Sequence, residues 1–355
     1  MEETVTANDV PHAHAQERPI DYSAIEKNLA DLWRGESGDE NAVTRAALWN
    51  VIAHTSSVSD HAHASETLSR ASEALPQRAI IIQADLKGTS DMSSWISANC
   101  HRLSGDKQVC SEEISIVAGG SRVRHIPPLV SALLIPDMPV AVWWVGDLPN
   151  EEQAYVETLL DPADRLIVDS SHFDRVEDLI WLHEIAERTF TAPADLNWVK
   201  LEDWRLVTAA IFDPPPMRER LHDIRSLKIT ATGGTQSLFV DSIESLYYAA
   251  WMTGQTGSDE IKSTFSIEPG ADSGAIMQVR IGFGGGFEVV IARDVARGIV
   301  TATVGGKAQT FNCVARVLGR STEDLIVRQL KRPEADRVFV KLLPIATQLA
   351  SQVTR

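Results

Sequence analysis

The sequence predicts an α/β fold: an N-terminal domain with a mostly parallel sheet flanked by helices, and a smaller α+β C-terminal domain with an antiparallel sheet. Three observations predict it. Residues 46–53 and 78–86 carry short apolar runs, and residues 59–75 between them have the apolar spacing of a helix. Strand, helix and strand in that order make a unit of two parallel strands. Residues 140–145 form a continuous run of β-branched and aromatic side chains, as in a strand buried on both faces. Beyond residue 233 the strand-like runs are separated by Gly284-Gly285-Gly286 and Gly305-Gly306, the texture of antiparallel hairpins.

Residues 1–20 are polar and are expected to form a flexible arm. Residues 21–231 are expected to form the α/β domain. Its first helix, over 22–33, has Ile25, Leu29, Leu32 and Trp33 at helical spacing. Pro76 stops the helix over 59–75. Strands over 92–101 and 109–117 flank the polar turn Ser104-Gly105-Asp106-Lys107 and should form a hairpin. Residues 126–145 are nearly all apolar and long enough to span a membrane. Pro136 and Pro139 exclude that reading, because an interior proline costs a helix roughly 3 kcal/mol. Asp137 adds on the order of 3 kcal/mol at a bilayer centre. The segment therefore divides into a helix over 128–135, a turn over 136–139 and a strand over 140–145.

A helix over 151–160, a strand over 165–169 and helices over 174–188 and 198–212 follow, and Asp213-Pro214-Pro215-Pro216 ends the last. A strand over 224–231 closes this domain, and Thr232-Gly233-Gly234-Thr235 marks the boundary. Residues 236–355 are expected to form the α+β domain. It has a helix over 238–252, strands over 263–268, 275–283, 287–293, 298–304 and 308–315, and two final helices. The first of these starts at Ser321, with Asp324 at capping-box spacing. The second covers 336–352.

The formal net charge of −16 argues against nucleic acid or an anionic membrane surface as partner. Cys100, Cys110 and Cys313 are too few for a disulfide framework. Residues 1–20 lack the apolar core of a secretory signal, so the cytoplasm is the expected location.

Nucleophile–base motifs, Walker loops and dinucleotide fingerprints are absent from the sequence, and no cofactor is expected. Gly282 to Gly286 lies between strands and reads as a hairpin turn rather than a phosphate cradle. The pairs His12/His14 and His61/His63 read as surface histidines rather than metal ligands. Cys100 and Cys110 stand on the two arms of the proposed hairpin, where they could approach each other as a redox pair or remain two reduced thiols. Two basic islands, Arg122/Arg124 with His125 and Arg218/Arg225 with Arg220 and His222, are candidate phosphate sites or solvated faces. Of nine tryptophans, Trp143, Trp144, Trp181, Trp198 and Trp204 fall close together. Trp143, Trp144, Trp198, Trp204 and Arg205 are candidate partner contacts, since exposed tryptophan and arginine dominate binding hot spots. The opposing reading packs the tryptophans in the core and makes Arg205 an internal ion pair. On helical spacing, one of Trp198 and Trp204 faces the core and the other edges toward solvent beside Arg205.

The segments SEEISIVAGG, PPLVSALLIPDMPVAVWWVGDLP, RLIVDSSHF and DLNWVKLEDWR occur in that order. In them the chain resembles the OpcA-type glucose-6-phosphate dehydrogenase assembly proteins. The resemblance covers residues 109–212 most clearly, extends back to 46, and is architectural beyond 233. It implies a cytoplasmic, non-catalytic protein that helps glucose-6-phosphate dehydrogenase assemble or activates it allosterically, supporting the oxidative pentose phosphate pathway and NADPH supply. It supplies no catalytic residues. Some members are linked to thioredoxin control through cysteines. The competing function is a sugar-phosphate-binding enzyme or sensor of lactonase or isomerase type, with one arginine island holding the phosphate.

Overall fold

The computed structural model describes residues 18–21, 24–36, 43–102, 108–148, 153–234, 239–258, 260–270, 274–305, 315–316, 321–332 and 334–353. Its contacts divide the chain into two units, residues 1–164 and 165–355.

The first unit holds strands β1 (Arg18–Ile20), β2 (Val43–Arg45), β3 (Trp49–Thr55), β4 (Gln77–Asp85), β5 (Met92–Arg102), β6 (Gln108–Gly119) and β7 (Val140–Trp144). Its helices are α1 (Ile25–Glu36), α2 (Val58–Ala74), α3 (Ile126–Leu133) and α4 (Gln153–Leu160). Within the unit the sheet order is β1-β5-β6-β4-β3-β7, with β2 on β6. β3 pairs in parallel with β4 and with β7, and β4 pairs in parallel with β6. The strand–helix–strand unit expected from the sequence is thus β3–α2–β4. Ser57 caps α2 by accepting from the Asp60 N–H at 3.1 Å. The expected hairpin is β5–β6, antiparallel, with Cys100 opposite Cys110. Those two cysteines form a disulfide. Cys313 lies outside the described residues.

The apolar stretch divides as expected. Prolines stand in the first turn of α3, where their missing N–H groups cost nothing. Asp137 takes a left-handed φ of 62° in the turn. Asn50 of β3 holds that turn in place, donating to the Ile135 carbonyl at 3.0 Å and accepting the Ile135 N–H at 2.9 Å. All five residues of β7 are buried.

The second unit begins with β8 (Arg165–Val168), α5 (Val176–Arg188), β9 (Ala192–Asp195), α6 (Leu196–Lys200), α7 (Glu202–Phe212) and α8 (Pro215–Arg218). β8 and β9 are parallel neighbours. The single helix expected over 198–212 is two helices, α6 and α7, meeting at Leu201. There follow β10 (Ile224–Gly233), α9 (Ile243–Thr256), β11 (Lys262–Pro269), β12 (Ile276–Phe283), β13 (Glu288–Asp294), β14 (Ile299–Val304), β15 (Ala315–Arg316), α10 (Thr322–Leu330) and α11 (Arg337–Val353). These strands form a sheet in the order β11-β10-β12-β13-β14-β15.

Three features of this unit differ from the sequence reading. The unit begins at Arg165, and β10 lies inside its sheet between β11 and β12, so the contacts do not divide at residues 232–235. The glycine pair taken for a linker serves a local contact instead. The Gly234 N–H donates to Asp241 Oδ2 at 2.7 Å, and a β-carbon on Gly233 would lie 2.4 Å from that carboxylate's carbon. Finally, β10 and β11 are parallel, whereas the remaining pairs are antiparallel. The helix α9 between them is the crossover that a parallel pair requires.

Candidate functional site

In the first unit β3 lies between β4 and β7. The chain leaves β3 through α2 toward β4, while β7 is reached through α3. Strand order therefore reverses at the carboxyl ends of β3 and β7, which is where doubly wound sheets take their ligands. Here the protein's own side chains fill that position. His54 stacks flat on Trp144, with ring centroids 3.9 Å apart and planes inclined by 14°. The Trp144 indole donates to the Asp147 carbonyl at 2.9 Å. His54 is buried, and neither of its ring nitrogens has a hydrogen-bond partner among the described residues. Burial depresses its pKa from 6.5 to about 3, so the ring is neutral.

The helix terminus beside it carries the wrong charge for a pyrophosphate. Residues 55–60 read Thr-Ser-Ser-Val-Ser-Asp, without glycine. The Ser57 hydroxyl donates to Asp60 Oδ2 at 2.6 Å, which fixes a carboxylate in the first turn of α2. A dinucleotide needs close backbone approach and unopposed N–H groups at this helix terminus. The residues present do not fit such a group.

His54 gives a test of this packing. His54→Phe keeps the ring and removes two unpartnered nitrogens, and should stabilise the fold by about 1–3 kcal/mol at pH 7. The sign with pH follows from the depressed pKa. The unfolded histidine takes up a proton as pH falls through 6.5, while the folded one resists until about 3. Stability is therefore lost as pH falls across that window, and the variant should lose that part of the acid dependence. Thermal melting at pH 7 and pH 5 checks both, and an unchanged acid slope would mean that His54 has a proton partner.

In the second unit the Asp-Leu-Asn-Trp block builds a buried polar network. Asp195 ends β9 and caps α6, its Oδ1 accepting the Asn197 N–H at 2.8 Å. Its Oδ2 accepts from the Tyr247 hydroxyl of α9 at 2.6 Å. Asn197 donates to Ser170 Oγ at 3.0 Å and to Asp169 Oδ1 at 3.3 Å, and its own oxygen accepts from Lys200 Nζ at 2.7 Å. Burial pushes the Asp195 carboxyl up to about 6 and that of Glu244 to about 7. Burial also opposes ionisation of Asp169, but Lys200 and Ser171 together hold its pKa below the usual carboxylate range. Asp195 and Tyr247 are 0% exposed. The network ties β9, α6 and α9 together. The block was visible in the sequence, but Tyr247, 52 residues away, carried no signal.

The other expected site residues sort by burial. Trp143, Trp144, Trp198 and Trp204 are 2–3% exposed. The expectation that one of Trp198 and Trp204 reaches solvent is therefore not met. Trp198 donates to Asp336 Oδ2 at 2.7 Å and packs on Phe339. Arg205 is half-buried, lies 3.5 Å over the Trp198 ring and donates to the Trp198 carbonyl at 3.3 Å. Arg122 and Arg124 are exposed in the turn before α3. Arg218 donates to the Asp213 carbonyl at 2.6 Å, and Arg225 pairs with Asp223 at 3.3 Å and Glu260 at 3.4 Å. His61 contacts Ser115 at 3.2 Å and His63 meets the edge of Trp143. Among the described residues no group of three or more histidine, cysteine or acidic side chains is placed to hold a metal. No helix among them is long and apolar enough to cross a membrane.

Comparisons with known proteins fall on both units. A family described as the N-terminal domain of a glucose-6-phosphate dehydrogenase subunit matches residues 68–184, and one described as the C-terminal domain of such a subunit matches residues 191–343. A protein of Synechococcus elongatus, provisionally designated OxPP cycle protein OpcA, is 28% identical over 69% of this chain and 55% of its own length. Its counterpart in Synechocystis sp. is 28% identical over 55% of this chain and 40% of its own. The chain thus spans about half the length, or less, of these curated relatives. Among solved structures, an NAD binding oxidoreductase from Klebsiella pneumoniae superposes with a TM-score of 0.44 at 12% identity, covering 86% of this chain and 96% of that one. The apo form of levoglucosan dehydrogenase superposes with a TM-score of 0.43 at 11% identity, covering 87% and 97%.

Proposed function

Because the chain belongs to the OpcA family of proteins associated with glucose-6-phosphate dehydrogenase, we propose that it is a non-catalytic partner of that dehydrogenase. In this reading it promotes assembly of the active oligomer or activates it allosterically, in the cytoplasm, and so supports the oxidative pentose phosphate pathway and its NADPH supply. The observation that carries the reading is the pair of family matches, over 68–184 and 191–343. The filling of the ligand position at β3 and β7 by His54, Trp144 and Asp60 supports it, since a dehydrogenase would hold its cofactor there. The buried tryptophans shift the search for the partner surface to other side chains. Phe190, Leu206 and Ile180 of the second unit are large apolar residues left exposed.

The test is a rate measurement. Adding the purified protein to glucose-6-phosphate dehydrogenase of the same organism should raise the specific activity in a saturable way, while the protein alone turns over neither glucose 6-phosphate nor 6-phosphogluconolactone. Turnover by the protein alone, at rates typical of enzymes, would overturn the proposal.

A further inference from the structure

In the first unit, β4, β6 and β5 present two different faces. One face is apolar and buried, with Ile80, Ile82, Ile96, Ile114 and Ile116. The other bears an open cleft of about 370 Å³, beside α2, whose walls include His61, Gln83, Trp95, Ser97, Glu113 and Ser115. Strand register sets Trp95 opposite Ser115 and Ser97 opposite Glu113, which gathers these side chains on one face. A sheet face beside a covering helix is normally filled with aliphatic side chains, so a cleft that sets polar side chains among apolar ones is the informative departure.

The cleft is not simply a solvated face. Glu113 is only 7% exposed, and its carboxylate oxygens accept from Ser65 at 2.8 Å and Asn99 at 3.4 Å. Trp95, Ser97, Ser115, Gln83 and His61 are each half-buried. The cleft runs along β4 and β6, from Glu113, level with Ala79, to Gln83, two residues before the end of β4.

The chemistry of the walls selects the ligand. Among the described residues neither lysine nor arginine lines the cleft, and its one acidic side chain is Glu113, so no basic group there draws a phosphate or a dinucleotide. Gln83, Ser97, Ser115 and His61 each both donate and accept. Trp95 supplies a flat apolar wall, with Val58 and Val117 beside it. A single carboxylate and a single ring fall short of an aromatic cage for a cation. Hydroxyl groups are the ligand groups that both donate and accept. We propose that this cleft binds an uncharged sugar, with Trp95 packing on its C–H face and Glu113 accepting from its hydroxyls. The site does not depend on the partnership proposed above.

The experiment is ligand-observed saturation-transfer NMR on the full chain with D-glucose, D-galactose, D-mannose and D-ribose, and with glucose 6-phosphate as the anionic control. At least one neutral sugar should receive saturation at millimolar concentration. Ser97→Leu, which fills the cleft at a position suited to a strand, should abolish the transfer. Glu113→Gln should weaken the binding about tenfold. The Glu113 variant preserves side-chain volume and serves as the deciding measurement should Ser97→Leu fail to fold. Transfer to no neutral sugar, transfer unchanged in the folded variants, or tighter binding of glucose 6-phosphate than of glucose would overturn the assignment.

Discussion

Arg78→Ala is expected to destabilise the first unit by about 3–5 kcal/mol. Arg78 stands on β4, 2% exposed, and Glu112 on the neighbouring β6 is 3% exposed. The guanidinium donates to Glu112 Oε2 and to Glu26 Oε1, each at 2.7 Å, and also to the Leu133 carbonyl. One side chain thus joins two strands, α1 and the end of α3. Its removal leaves the Glu112 carboxylate in the core without that counter-charge, and desolvation makes this far worse than losing a surface pair. Removing both charges together, as Arg78→Met with Glu112→Leu, should recover much of the loss, because no buried charge then remains unpaired. Urea denaturation of the two variants measures this. A single arginine variant within about 0.5 kcal/mol of the parent would place the pair among surface-like interactions.

Trp198→Ala is expected to cost about 3–5 kcal/mol in the second unit. The ring is 2% exposed and packs against Phe339, and its indole N–H satisfies Asp336. Truncation therefore opens a cavity and takes from Asp336 Oδ2 its indole donor. Arg205→Ala should cost less, about 1 kcal/mol, because it removes one stacked cation and one hydrogen bond. The two losses should be strongly non-additive, since the arginine has no ring to cover once Trp198 is gone. As a partner contact, Arg205→Ala would instead spare melting and weaken activation of the dehydrogenase, so melting separates the two roles. Melting of the two single variants and the double variant decides, and additive losses would contradict the contact.

Local order was legible in the sequence wherever a local rule sets the structure. The β3–α2–β4 unit follows from hydrophobic periodicity, the division at Pro136 and Pro139 from proline chemistry, and the start of α10 from the Ser321 cap, which accepts the Asp324 N–H. What stayed hidden depends on contacts between distant residues. Spacing alone places Trp198 and Trp204 about 120° apart on one straight helix, but the break at Leu201 turns both inward. Asp336, 138 residues away, completes the burial of Trp198. The parallel pairing of β10 with β11 was missed because a glycine pair that accommodates Asp241 looks the same in sequence as a linker. Trp95 stood out by no motif. Only the pairing of β5 with β6 brings it beside Ser115 and Glu113.

The central claim is physical association with glucose-6-phosphate dehydrogenase, and sedimentation velocity tests it most directly. The dehydrogenase alone, this protein alone and their mixture are run at the micromolar concentrations where a specific complex forms. The account predicts that the protein's own boundary is depleted in the mixture. A faster boundary carrying both chains should appear, either as a mixed complex or as a larger dehydrogenase oligomer bearing this protein. Two independent boundaries at every ratio, with the dehydrogenase oligomer unchanged, would contradict it.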